Sequence, residues 1–227
     1  QSSIGVRSVG SKVKLQNNCA SINAQGRCDD FCANNPSIRG RTQQGTGVTY
    51  AVLLDNSPNS LVETSAMCAT TADQGASLRI VGNGAGIVVR GNLVNAFGGV
   101  QDSHGIWMED CGGAAPWIVD NHYIASAGDN QQSRVDGVRA VGDCHPVIDS
   151  NVTITGGGEG QASNPTGVHC LANAMSVPSK CVVLGNGLIR GSEAGFPPVA
   201  TGVRCDGASC NRVEDNVITG RGGMTAY

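Results

Sequence analysis

Arg7, Thr49, Arg79, Trp107, Arg139, His169 and Arg204 occupy equivalent places in a repeated pattern, each flanked by apolar residues. On strands with period-2 alternation these side chains would all face outward and stack into one column. Stacked cations repel one another, so such a column calls for an anionic partner such as an acidic polysaccharide. Trp107 in its middle offers a face for a sugar ring. Arg79, Trp107, Arg139, His169 and Arg204 are therefore the candidate ligand-binding residues. The competing expectation pairs each Arg with a nearby carboxylate (Glu109, Asp110, Asp143 or Asp206) and leaves only a solubilised face.

Asp110, Asp143, Asn173 and Asp206 suggest a second column one step along. Aligned carboxylates can hold calcium, which makes Asp110, Asp143 and Asp206 candidate ligands. Against this, Asp before Cys or Gly is ordinary turn chemistry. Hydrolysis of a glycosidic bond wants two carboxyl groups ~5–9.5 Å apart across a cleft. Glu109 and Asp110 are sequence neighbours and diverge on a strand, while Asp149 and Glu214 are separated by the repeat that carries Leu184. No Gly-x-Ser-x-Gly or His-Glu-x-x-His occurs, and His104, His122, His145 and His169 show no partner pattern. No catalytic residue is assigned.

What must position these residues is a repeat. Anchors fall at Gly5, Gly47, Ser77, Gly105, Gly137, Gly167 and Gly202, with spacings of 42, 30, 28, 32, 30 and 35 residues. Periods of 20–50 residues signify solenoids, propellers or arrays. Each anchor opens a short alternating segment such as Val138-Arg139-Ala140 or Val168-His169-Cys170. A later apolar pair leads into Asn121, Asn151, Asn186 and Asn216, with Asn18 and Asn92 in the same place and Thr64 breaking the series. Asn tolerates a left-handed bend, and its amide both donates and accepts, so stacked copies form a ladder. The variable stretches (Ala24 to Thr46, Asp129 to Arg134, Gly156 to Asn164, Gly191 to Thr201) are rich in Gly, Ser, Asn and Pro and are expected to be loops.

Short stacked strands with an Asn column predict an all-β, right-handed parallel β-helix spanning 1–227 as a single domain. Seven rungs at ~4.8 Å would rise roughly 34 Å. A leucine-rich repeat lacks its Leu frame here, and a propeller its hairpin turns.

Ten cysteines with no Cys-x-x-Cys pair fit disulfides in an oxidising compartment. The economical pairing is Cys170–Cys181, Cys205–Cys210 and Cys111–Cys144. A rival joins Cys170 to Cys205, but in-register strands hold Cβ atoms ~4.8 Å apart, beyond disulfide reach. The pairing of Cys19, Cys28, Cys32 and Cys68 stays open, and Cys28/Cys32 is poor zinc spacing.

The Gly-Val-x-Cys and apolar-x-x-Asn motifs resemble those of right-handed parallel β-helix repeat proteins, the pectin-lyase-like superfamily, above all its cysteine-rich bacterial surface type of unassigned function. The resemblance spans essentially the whole chain. It implies the fold, and it admits lyases, hydrolases, adhesins and tailspikes. Lyases of that superfamily pair a calcium with an Arg base that takes the proton alpha to a uronate carboxylate. The Asp-Asp, Gly-His-Gly and Arg-x-Lys set of the polygalacturonase branch is absent; Asp29-Asp30 stands alone.

The chain has 227 residues, 15% of them charged, and a net charge of −3. That balance argues against nucleic acid, and no run approaches the ~18 apolar residues of a membrane span. Gln1 suggests a processed segment, and the absence of obvious caps suggests part of a longer array. The expectation is a secreted or cell-surface structural or adhesive module, contacting polysaccharide or neighbouring repeats or sister chains without catalysis. Its competitor is a lyase or hydrolase on an acidic polysaccharide, using Arg139, His169 and Arg204 with Asp110 and Asp143.

Overall fold

The computed structural model describes residues 3–19, 38–41, 47–71, 73–98, 101–128, 134–157, 164–192, 199–207 and 209–220. They form three parallel sheets of seven strands, and successive strands of each sheet come from successive turns of the chain. Sheet A stacks Ser3–Val9, Val48–Asp55, Gln74–Val81, Asp102–Glu109, Arg134–Val141, Thr166–Leu171 and Thr201–Cys205. Sheet B stacks Lys14–Gln16, Leu61–Glu63, Val88–Arg90, Trp117–Val119, Val147–Asp149, Cys181–Leu184 and Cys210–Glu214. Sheet C stacks Ile38–Arg41, Ala66–Thr71, Leu93–Gly98, Tyr123–Ser126, Thr153–Gly157, Leu188–Ser192 and Ile218–Thr219. This is the expected parallel β-helix. Most of the four expected loop stretches lies outside the described residues, but Ile38–Arg41, inside the first of them, is a strand of sheet C rather than loop, because Ile38 supplies the inward residue of that turn.

Identical inward positions repeat from turn to turn. Met67, Val94, Ile124, Ile154 and Ile189 line sheet C in register, and Val62, Val89, Ile118, Ile148 and Val183 line sheet B, all fully buried. Only turns two to six enclose such a core, so five rungs rather than seven are closed. The first and last turns have a stacked neighbour on one side only: Ile38 of the first is still buried beside Met67 and Leu15 is half-buried, whereas Val213 and Ile218 of the last are exposed.

The Asn column is realised as a ladder. Asn92 Nδ2 donates to Asn121 Oδ1 at 3.0 Å, Asn121 to Asn151 at 2.9 Å, Asn151 to Asn186 at 2.9 Å and Asn186 to Asn216 at 2.7 Å. The second amide proton of Asn92, Asn121, Asn151 and Asn186 goes to a carbonyl one turn back, those of Val62, Val89, Ile118 and Ile148. Two details differ from expectation. Ser65, not Thr64, holds the second-turn place: its N–H donates to Asn92 Oδ1 at 2.9 Å, and its hydroxyl accepts from Asn18 Nδ2 at 3.2 Å. The left-handed residue is the one before the ladder position, as at Asn17, Thr64, Asp120, Ser150 and Asp215. Bend and ladder are separate tasks on adjacent residues.

The anchor glycines answer a steric demand where sheet A turns over sheet C. A Cβ on Gly137 would sit 2.7 Å from the Gly167 oxygen and 2.8 Å from the Thr155 oxygen. Gly137 and Val138 therefore both face inward, and the strand's alternation changes phase there. Residues three apart across the glycine then share the outer face, which a regular strand forbids.

Disulfides Cys111–Cys144, Cys170–Cys181 and Cys205–Cys210 are all present, as expected. The first ties neighbouring turns, and the other two close the corner from sheet A to sheet B within one turn. Cys170 and Cys205 are indeed register partners, yet each bonds elsewhere. Cys19 and Cys68 are also disulfide-bonded. Cys28 and Cys32 lie outside the described residues. Asn151, in its Asn-x-Thr triplet, is fully buried.

Candidate functional site on sheet A

Strand register fixes which outer side chains meet. The column runs Arg7, Leu53, Arg79, Trp107, Arg139, His169, Arg204. Leu53 replaces the expected Thr49, because the second-turn anchor is Ala51 rather than Gly47. Gly47-Val48-Thr49 imitates the motif four residues early.

The phase change at the glycine brings a second column beside the first. Tyr50, Ala76, His104, Asp136, Thr166 and Thr201 are its register partners. Asp136 is the hub. Its Oδ2 accepts from Arg139 Nη1 at 2.9 Å and lies 3.2 Å from His104 Nδ1, while its Oδ1 lies 3.2 Å from His169 Nδ1. His169 Nε2 reaches Asp206 Oδ2 at 3.0 Å, and Arg204 Nε donates to Asp206 Oδ1 at 2.9 Å. The six groups form one connected polar network across four turns. At its other end Arg134 pairs with Asp102 at 2.7 Å, and Arg79 with Glu109.

Burial of Asp136 by itself would raise its carboxyl, but hydrogen bonds from His104 and His169 and the charge of Arg139 hold it well below the usual range. His104, almost fully enclosed, is pushed below its ordinary value by burial, against the pull of Asp136. It is therefore neutral at pH 7. Its Nδ1 lies 3.2 Å from the carboxylate, and a proton held on that nitrogen leaves the lone pair on Nε2. Tyr50 is raised, chiefly by burial and also by Glu109, against the pull of Arg79, and stays a phenol.

Trp107 joins the two halves. The Arg79 guanidinium lies 3.5 Å over its ring, and His104 meets it edge-on at 5.1 Å between centroids. Around this indole Arg79 Nη1, Trp107 Nε1 and His104 Nε2 are enclosed with no hydrogen-bond partner, and His104 Nδ1 has only its 3.2 Å ion-pair contact with Asp136. Burying a polar group unpaired costs about 1–3 kcal/mol, so three at one spot are expensive for a mere scaffold.

Of the five expected ligand-binding residues, the structure joins Arg79 to Trp107 and Arg139 to His169 and, through Asp206, to Arg204. The cations are not a free stripe. Arg79 and Arg204 pair with Glu109 and Asp206, as the competing expectation held. The partner of Arg139 is Asp136, not Asp110 or Asp143. Asp136 and His104 escaped the sequence reading, although each stands directly before an anchor glycine, a signal that was available.

The acids of the supposed second column do not line up. Register carries Glu109 to Val141, so Asp110 stands level with Gly142 rather than Asp143. Asp110 accepts from Asn173 Nδ2 at 3.0 Å, Asp143 lies 3.4 Å from His145 Nε2, and Asp206 serves His169 and Arg204. Among the described residues no three His, Cys, Asp or Glu side chains gather as metal ligands. No helix among them is long and apolar enough to cross a membrane.

The molecule thus belongs to the class of disulfide-reinforced parallel β-helices with an ionic cluster on one face. Comparison with family models, curated proteins and solved structures finds no match to the chain.

Proposed function

We propose that the chain is an extracellular adhesive β-helix module that binds an acidic polysaccharide at Trp107 on sheet A. The observation that carries this reading is the trio of enclosed, unpartnered nitrogens around one half-buried indole. Arg79 Nη1 and Trp107 Nε1 donate, and His104 Nε2 accepts. A uronate offers the complement, with carboxylate oxygens to accept and a neighbouring hydroxyl to donate. The disulfides suit an oxidising, extracellular setting, and the motif resemblance to the pectin-lyase-like superfamily's bacterial surface type points the same way.

A second reading, a lyase or hydrolase of the same substrates, is favoured by one feature. Asp136 lies 3.2 Å from His104 Nδ1, the carboxylate–imidazole contact that a general base uses, with Trp107 between that imidazole and the Arg79 guanidinium. A glycan array together with a depolymerisation screen, run with and without calcium, separates the readings. Binding without new chain ends, lost in Trp107→Ala, supports the module. New unsaturated or reducing ends that vanish in His104→Ala make it an enzyme. Calcium-dependent binding lost in Asp110→Ala would revive calcium at Asp110, Asp143 and Asp206. Absence of both binding and turnover removes the polysaccharide reading.

A further inference from the structure

Sheet B carries a different outer face, and its order along the column is close to symmetric. One outward position reads Lys14, Leu61, Val88, Trp117, Val147, Val182, Arg212 from the first turn to the seventh. The other reads Gln16, Glu63, Arg90, Val119, Asp149, Leu184, Glu214. Five apolar residues in succession face out, with Trp117 central and 52% exposed. Contiguous apolar exposure of this kind marks an interaction surface.

We infer that sheet B is the interface of an antiparallel homodimer with Trp117 on its twofold axis. Two copies can pack sheet B face to face in two symmetric ways. An axis along the strands sets the solenoids antiparallel and opposes the first turn to the seventh. Leu61 then meets Val182 of the second copy, Val88 meets Val147, Trp117 meets its equivalent, and Arg90 meets Asp149. At the ends Lys14 meets Arg212, whose charge is shared with Glu214, Gln16 meets Glu214, and Glu63 meets Leu184 as the one charge per copy set against hydrocarbon. An axis along the solenoid instead lays one outward position on the other at equal height. Glu63, Arg90 and Asp149 would then cover Leu61, Val88 and Val147, setting three charges per copy against hydrocarbon in place of one. Charge and apolar complementarity therefore select the antiparallel arrangement, and an isologous contact of this kind closes at two copies.

Seven strands at ~4.8 Å and three residues of width give a flat footprint of about 340 Å² per copy. A standard interface takes ~800 Å² per partner, so the dimer is a weak, concentration-dependent one. The inference rests on no part of the sheet A reading.

Sedimentation velocity over a hundredfold range of concentration tests it, with Trp117→Lys, Arg90→Asp, Asp149→Arg and the Arg90→Asp/Asp149→Arg double variant beside the parent chain. Arg90 and Asp149 stand two strands apart within one chain, so rescue reports contact between chains. The expected result is a reversible dimer, weakened at least tenfold by Trp117→Lys and by either single charge reversal, and restored in the double variant. A monomer at every concentration overturns the inference and leaves the stripe to a foreign partner. A dimer indifferent to Trp117→Lys, or charge reversals that do not rescue each other, overturns it as well. Unchanged thermal melting of each variant at low concentration excludes misfolding. Polysaccharide binding by monomeric Trp117→Lys shows independently whether the sheet A reading stands.

Discussion

Sheets A and B have the same number of strands, the same spacing and the same inward hydrocarbon, yet their outer faces differ in kind. Sheet A carries Asp136, Arg139, His169 and His104, largely enclosed and mutually paired. Sheet B carries an open stripe of Leu61, Val88, Trp117, Val147 and Val182. The difference begins with one small anchor residue per turn, a glycine in five of the seven turns. On sheet A the anchor residue changes the phase of alternation, so two polar columns fall side by side and can pair. Sheet B strands are three or a few residues long, with one inward residue between two outward ones, so its two outer columns follow simple alternation without a change of phase. A backbone device thus separates an outer face of paired polar groups from one of exposed hydrocarbon.

If the sheet A cluster is a unit, breaking its hub should be the most damaging single change. Asp136→Ala leaves Arg139 and His169 enclosed without their shared anion and is expected to cost about 3–5 kcal/mol in urea unfolding. A loss below ~1 kcal/mol would mean that water replaces the carboxylate and the cluster is not coupled. Reduction should come next, at about 2–5 kcal/mol, because Cys170–Cys181 and Cys205–Cys210 pin the corner between the two sheets. Identical denaturation curves with and without reductant would contradict this.

The ladder belongs to neither face and serves as the common reference. Asn151→Leu strands the Asn121 Nδ2 proton and the Asn121 N–H, both of which donate to Asn151 Oδ1. A loss of about 1–3 kcal/mol in chemical denaturation is expected. Trp117→Lys on sheet B, by contrast, should move the stability of the dilute chain by less than about 1 kcal/mol.

The pH dependence of stability should also come from sheet A. His104 is lowered in the fold, so the unfolded chain binds the extra proton. Stability is intact above the ordinary value of 6.5 and falls as pH drops below it. Asp136 is lowered too, from an ordinary value of 3.8, so its contribution is lost only at more acid pH, as the folded carboxylate is finally protonated. Acid titration of the melting temperature should therefore show two stages, and His104→Gln should remove the first alone.

The sequence made the repeat legible because each turn must solve the same steric and hydrogen-bonding problems. Asn121, Asn151 and Asn186 recur since a side-chain amide donates to one stacked copy, accepts from the other and still has a second proton for a backbone carbonyl one turn back. The three disulfides were legible because Cys170 and Cys205 repeat in register with a second Cys shortly after. The second turn misled because Ala51 fits where glycine stands elsewhere, and Ser65 replaces the amide with a hydroxyl. Asp136 and His104 were hidden by strict alternation, which sends residues three apart to opposite faces. Asp110 and Asp143 looked equivalent in sequence but fall one residue out of step in the stack.

The central claim is that Trp107 and its unpartnered neighbours form a ligand site. The chain has two tryptophans, so in a Trp117→Phe background the indole emission reports Trp107 alone. Titration of that variant with polygalacturonate should give a saturable change in emission that Arg79→Gln abolishes while the melting curve shows a folded chain. An emission spectrum unmoved by the polysaccharide, or a saturable change that survives Arg79→Gln, would contradict it.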